Sequence, residues 1–128
     1  MITQQPNIDL TLLQDHFVEC GDYTKEVILD ELEYWRKNTD FFALTFYNNG
    51  TLDGFLLGYR YRNSLWISQS WRKVGSSISE TRRALEIAKD WARARGLTSI
   101  TGETQRTQMR AMGRLGFKEY SVNMKVEL

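Results

Sequence analysis

The sequence contains a single cysteine, Cys20, and a single histidine, His16. One cysteine cannot form an internal disulfide, and its free thiol is best suited to a reducing compartment, so we expect a cytoplasmic protein. One histidine and one cysteine cannot supply a multi-histidine metal centre or a structural zinc site. We therefore expect no bound metal.

The sequence also lacks any long apolar run. No stretch approaches the ~18 residues that a membrane-spanning helix needs. The first seven residues, M-I-T-Q-Q-P-N, are polar and have neither the basic nor the apolar region of a signal peptide. The formal net charge is only +1, which provides no overall attraction to nucleic acid or to an anionic membrane. Neither is expected as a partner.

What the sequence does have is the composition of an ordinary folded domain. It has 128 residues, of which 41% are hydrophobic and 26% are charged, and this predicts one domain over residues 1–128. Its charges are unevenly placed, because residues 8–40 are rich in acids whereas basic residues crowd the middle. This asymmetry suits an anionic ligand near the middle, and it equally suits a solvated basic face. The basic residues concerned are Arg60, Arg62, Arg72, Lys73, Arg82 and Arg83.

Hydrophobic periodicity predicts helices and strands along the whole chain. Asp9 or Thr11 is expected to cap a first helix, and Asp22 or Thr24 a second one, in which Tyr34 and Trp35 are interpreted as core residues. Asn48, Asn49 and Gly50 predict a tight hairpin turn. The first two predicted helices end near residues 19 and 37, and two later helices are predicted over residues 77–95 and 105–115. The predicted strands cover residues 41–47, 52–62, 65–70, 97–101 and 120–128.

The stretch from Leu65 to Gly96 combines a strand, a loop and a long helix. Ser77 and Glu80 have the spacing of a capping box, which predicts that the helix begins at Ser77. The first N–H groups of a helix lack intrahelical partners, and with the helix dipole they favour an anion such as phosphate. The alternative is a well-capped helix that follows an ordinary turn.

The loop in this stretch, R-K-V-G-S-S, resembles the acyl-CoA-binding motif of the GNAT acyltransferase superfamily, Arg/Gln-x-x-Gly-x-Gly/Ala. Trp71 precedes it, where the family often has an aromatic residue. Downstream, A-R-A-R-G-L-T-S-I-T-G-E-T and R-L-G-F-K-E-Y resemble the following helix end, strand and Leu-Gly-Phe signature. The resemblance implies an α+β fold with a mixed, mostly antiparallel central sheet of about six strands and helices on both faces.

The resemblance also implies a site for acetyl-CoA as cosubstrate. The strand residues Ile67 and Ser68 would bond the pantetheine amides, with the Ser68 region also donating to the oxyanion. Glu103, or less favourably Asp53, would act as the base that receives the proton of the acceptor amine. Arg82 and Arg83 would reach the phosphates, unless either one simply pairs with Glu86 on the helix surface. The CoA pyrophosphate would lie on the loop residues Arg72, Lys73, Val74, Gly75, Ser76 and Ser77.

The sequence departs from the family pattern at the position of its usual tyrosine. Met112 stands there, and a methionine cannot protonate the departing thiolate, so Tyr59, Tyr61 or Tyr120 would have to substitute. Gln105 also stands where an asparagine is common. These departures leave the fold implied by the resemblance unchanged, and they bear directly on catalysis.

Three functions therefore remain open. The first is an acyl-CoA-dependent N-acyltransferase that acetylates an amine on a small molecule or a protein. The second is a GNAT-like binding or assembly protein without activity, such as a phage virion-associated protein. The third is a nucleic-acid binder that uses Arg60, Tyr61, Arg62 and Trp66. The exposed final strand would offer an edge for a homodimer.

Overall fold

The computed structural model describes residues 1–19, 21–103, 118–120 and 123–128. The predicted α+β class is confirmed. The described part divides into two compact units, one of residues Met1–Tyr59 with Gln69–Ser76 and one of Arg60–Ser68 with Ser77–Leu128. The elements are β1 (Ile2–Gln4), α1 (Lys25–Asn38), β2 (Phe41–Asn48), β3 (Thr51–Tyr61), β4 (Ser64–Arg72), α2 (Ile78–Ala94), β5 (Ser99–Glu103), β6 (Lys118–Tyr120) and β7 (Asn123–Glu127).

In the first unit the strands follow the order β1-β2-β3-β4, and β1, β2 and β3 are antiparallel. The predicted hairpin between β2 and β3 is confirmed. Asn49 and Gly50 adopt positive φ angles of 53° and 77°, which these two residue types tolerate and which a two-residue hairpin turn of this hand requires. The residues of β2 from Phe41 to Phe46 are all buried, so both faces of this strand are covered.

Helix α1 begins where the sequence predicts it, with Thr24 as its cap. The Thr24 hydroxyl accepts a hydrogen bond from the Val27 amide at 3.4 Å. Ile28 and Leu32, which are four residues apart on one face, are completely buried. Among the residues that the structure describes, no helix is both long enough and apolar enough to cross a membrane.

The first predicted helix is wrong. The chain instead forms two short 3₁₀ turns at Leu10–Leu12 and Gln14–His16. Asp9 does act as a cap, accepting bonds from the amide and the hydroxyl of Thr11, and these bonds lower the pKa of the Asp9 carboxyl. Leu10 and Leu13 are buried at a spacing of three, which places both on one side of a 3₁₀ turn and would also do so in an α-helix.

In the second unit the strands follow the order β4-β5-β7-β6, and β4 pairs with β5 in parallel. Strand β5 begins two residues later than predicted, because Leu97 still belongs to the end of α2. The Leu97 amide donates to Ala92 O and the Gly96 amide to Arg93 O, both at 3.0 Å. This is the Schellman arrangement, and Gly96 adopts the φ of +72° that it requires.

The predicted final strand is also corrected. Residues 120–128 do not form one strand, because β6 ends at Tyr120 and β7 begins at Asn123. Strand β7 pairs with β5 on one side and with β6 on the other. It is therefore no free edge, and the argument for a homodimer through the final strand is lost. The predicted helix 105–115 lies outside the described residues.

Gly54 of β3 is a close-approach position in the first unit. A Cβ atom built on Gly54 would lie 2.5 Å from Arg72 Cδ and 2.6 Å from the carbonyl oxygen of Trp71. We predict that Gly54→Ala lowers the free energy of unfolding by about 1–3 kcal/mol, because the strand backbone must shift to admit the methyl group. Chemical denaturation measures the effect, with Thr51→Ala at an exposed position of the same strand as control. Equal stabilities of the two variants would contradict this packing.

Candidate functional site

The loop between β4 and α2 has the geometry that the sequence predicts. The Lys73 amide donates to Asp53 O at 2.8 Å, and the Ser76 amide donates to Lys73 O at 3.2 Å. Between these anchors, Val74 is 99% exposed and Gly75 has a φ of +88° with open space around its Cα. The loop is therefore held at its ends and presents its middle outward.

Ser77 caps α2, as predicted, although its bond differs from that of a full capping box. The Ser77 hydroxyl accepts from the Ser79 amide at 3.2 Å and lies 2.7 Å from the Ser79 hydroxyl. Within the described residues, the amides of Val74, Gly75 and Ser77 make no hydrogen bond to a protein acceptor. Exposed N–H groups at a glycine turn followed by a helix N-terminus are suited to bind a phosphate oxygen.

The positive charges around this loop are distributed differently from the expectation. Arg72 is half-buried, and its guanidinium carbon lies 4.0 Å from the centre of the Phe46 ring on β2. The guanidinium is therefore engaged with the sheet. Arg82 and Arg83 on α2 are exposed. Their alternative partner, Glu86, instead forms an ion pair with Lys89 at 3.4 Å.

The parallel strands β4 and β5 contain the residues expected to contact pantetheine. Their paired residues run from Ser64↔Ser99 to Ile67↔Gly102. At the start of this pairing the hydroxyls of Ser64 and Thr101 form a hydrogen bond of 2.8 Å. A Cβ on Gly102 would lie 3.2 Å from Ile67 O, so only glycine lets the two backbones approach this closely without adjustment.

The paired register ends at Ile67, and β4 continues through the half-buried Ser68 to Arg72. Strand β5 continues one residue beyond its last pair with β4 and ends at Glu103. The backbone of Glu103 pairs with Asn123 of β7. The structure thus brings Ile67 and Ser68 to the end of the β4–β5 ladder and Glu103 to the end of β5. The side chain of Glu103 lies outside the described atoms.

The alternative base and the alternative acids have other surroundings. The Asp53 carbonyl accepts a hydrogen bond from the Lys73 amide, so Asp53 lies next to the loop between β4 and α2. Tyr59 is buried, with its hydroxyl donating to Glu31 at 3.4 Å. Tyr61 is 42% exposed, with the Arg62 guanidinium 5.3 Å from its ring centre. Met112, Gln105 and the side chain of Tyr120 lie outside what is described.

A second group of contacts, which sequence reasoning missed, lies on the last residues of β4. Residues 9–19, here called the N-terminal strap, cross this strand. The Val18 amide donates to Gln69 Oε1 at 2.9 Å, and the His16 ring stacks on Trp71 with centroids 3.6 Å apart. Gln69 and Trp71 are two residues apart and so lie on one face of the strand. No local pattern joins positions separated by more than fifty residues.

No metal centre is found in the part of the chain that the structure describes, since no group of three or more His, Cys, Asp or Glu side chains is placed to hold an ion.

Comparison with known proteins gives no match by sequence and many by structure. No protein-family model matches the chain, and no curated protein matches it. An acetyltransferase of Desulfovibrio desulfuricans, described as belonging to the GNAT family, superposes with a TM-score of 0.74 at 13% identity and covers 99% of this chain and 98% of its own.

Two further structures are as similar. The PaiA N-acetyltransferase of Thermoplasma acidophilum, solved in complex with coenzyme A, has a TM-score of 0.72 at 16% identity, covering 100% and 99% of the two chains. The ribosomal-protein-S18-alanine N-acetyltransferase of Escherichia coli has a TM-score of 0.71 at 13% identity, covering 99% and 94%. The chain therefore has the fold of the GNAT acetyltransferases, as the loop and downstream motifs predict.

We predict that Gln69→Met loosens the N-terminal strap. The substitution keeps the size of the side chain and removes the acceptor of the Val18 amide. One hydrogen bond contributes about 0.5–1.5 kcal/mol net, so deuterium exchange at Val18 should quicken by about two- to twelvefold. Ser70→Ala, at an exposed neighbouring position, serves as the control. Unchanged exchange in Gln69→Met would show that the strap does not depend on this bond.

Proposed function

We propose that this protein is an acetyl-CoA-dependent N-acetyltransferase that acetylates an amine. The observation that carries the proposal is the turn at Gly75, where exposed backbone amides lie between the hydrogen bonds of Lys73 and Ser76. Structural neighbours with this fold include an acetyltransferase that holds coenzyme A. Acetyl-CoA is therefore the cosubstrate that we assign.

The loop is the proposed phosphate end of the site. The amides of Val74, Gly75 and Ser77 would bond the pyrophosphate oxygens, with the Ser76 hydroxyl nearby and the exposed Lys73 ammonium adding charge. Because the Arg72 guanidinium lies against Phe46, we assign Arg72 to holding the end of β4 rather than to direct phosphate binding.

The end of the β4–β5 ladder is the proposed reactive end. Backbone groups of Ile67 and Ser68 are offered for the pantetheine amides, and an amide in the Ser68 region for the oxyanion that develops on the thioester. The acceptor nitrogen attacks the thioester carbon, its C–N bond forms as the C–S bond breaks, and Glu103 receives the nitrogen's proton. The thiolate takes its proton from Tyr120 or from solvent.

Two observations favour the second candidate, a GNAT-like binding or assembly protein without transferase activity. Met112 stands at the position of the usual tyrosine, and the Arg72 guanidinium is engaged with Phe46. Both weaken catalysis or cofactor binding relative to the family pattern. The open glycine turn and its exposed amides favour the transferase, because an inactive binding protein does not require a phosphate site there.

We predict that Gly75→Asp abolishes CoA binding while Gly75→Asn retains most of it. Both side chains are strained to the same degree at a φ of +88°, and the surrounding space is open, so the pair differs in charge alone. A carboxylate would repel the pyrophosphate. The rise in melting temperature on adding CoA measures binding. Equal responses in the two variants would refute the assignment of the loop.

We predict that Glu103→Gln lowers kcat for acetyl transfer by 100-fold or more, on the order of what general-base catalysis contributes. Affinity for acetyl-CoA should stay within twofold, because Glu103 is assigned to the amine and not to the cosubstrate. Thiol release in the presence of a panel of primary amines is the measurement, with Glu127→Gln on β7 as the matched control. A parallel fall in both variants would remove Glu103 from the mechanism.

A further inference from the structure

The carboxylate of Glu31, in the middle of α1, is held between two phenols. The hydroxyl of Tyr23 donates to Glu31 Oε2, and the hydroxyl of Tyr59 donates to Glu31 Oε1 at 3.4 Å. Glu31 is half-buried, so its carboxylate is in contact with both protein and solvent. The two hydroxyls fix the orientation of the carboxylate by donating to both of its oxygens.

Aromatic rings surround this carboxylate on one side. The Trp35 ring stacks on the buried Tyr59 ring with centroids 4.7 Å apart and planes 8° apart. Tyr34 meets the edge of Trp35 at 5.3 Å and is 58% exposed, in contrast to its expected place in the core. Val27, one helical turn before Glu31, is 43% exposed. Val27, Glu31 and Tyr34 thus follow one face of α1.

No cation neutralises Glu31 within the described part of the chain. Two of the three basic residues of α1, Lys25 and Arg36, have partners of their own. Arg36 bonds Glu33 and the carbonyl of Ile8, and Lys25 bonds Asp15 at 3.3 Å. The phenols supply hydrogen bonds to Glu31 without supplying positive charge.

We propose that Glu31, with Tyr23 and Tyr59, binds a ligand ammonium group, and that the exposed Val27 and Tyr34 receive the apolar stem that carries it. An ammonium group gains both the attraction of the carboxylate and that of the aromatic faces, whereas a neutral hydroxyl gains neither in full. The inference goes beyond the proposed acetyl transfer, because it assigns a ligand class to α1 alone: an ammonium group carried on a short apolar stem.

The test uses n-butylammonium as the probe and n-butanol as its uncharged counterpart. Each is titrated into the isotopically labelled full chain, and amide chemical shifts report where it binds. The matched variants are Glu31→Gln and Glu26→Gln, since both remove one negative charge from α1 and Glu26 is exposed and lies outside the phenol pair. Acetyl-CoA binding is measured on the same samples.

We expect butylammonium to shift amides between residues 23 and 35 and butanol to shift them much less at equal concentration. Glu31→Gln should weaken the response by tenfold or more, and Glu26→Gln by less than twofold. Because butylammonium and butanol are compared on the unaltered chain, this part of the test holds even if a variant fails to fold.

The outcomes separate this inference from the proposed function. Shifts that butanol reproduces, or that survive equally in Glu31→Gln, would overturn the ammonium site whatever acetyl-CoA does. Glu31-dependent binding of butylammonium in a protein that does not bind acetyl-CoA would support the ammonium site and count against the proposed acetyl transfer alone.

Discussion

Strand β4 is the constraint on which the rest of the structure depends. Its first residues, from Ser64 to Ile67, pair with β5 in one unit, and its last residues, from Gln69 to Arg72, lie against β3 and the N-terminal strap in the other. A strand can end one ladder and continue only if other groups satisfy its backbone and cover its side chains. Gly102 meets these needs in one unit, and Gly54 with the strap contacts at Gln69 and Trp71 meets them in the other.

Local signals explain what could be predicted. The Asn49–Gly50 turn and the Ser77 and Thr24 caps depend on neighbouring residues only, and the structure has them where the patterns indicate. Predictions failed where two local geometries compete. The spacing of Leu10 and Leu13 suits a 3₁₀ turn as well as an α-helix, and the alternating pattern of residues 120–128 does not reveal the break between β6 and β7.

The candidate site divides in the same way. The loop around Gly75 could be predicted, because a glycine turn before a helix cap is a continuous stretch of sequence. The contacts of His16 with Trp71, of Arg72 with Phe46 and of Glu31 with Tyr59 join residues 26 to 55 positions apart in the sequence, and only the folded chain brings them together. These contacts change the assignment of Arg72 and introduce Glu31, which no motif in the sequence singles out.

Isothermal titration calorimetry of the unaltered protein with acetyl-CoA tests the central claim most directly. If the amides of Val74, Gly75 and Ser77 hold a pyrophosphate, acetyl-CoA should bind with a dissociation constant on the order of micromolar, about −8 kcal/mol. Desulfo-CoA, which keeps the pyrophosphate, should bind comparably. No detectable heat at millimolar acetyl-CoA would contradict the account, because the open loop would then be an ordinary turn before a capped helix.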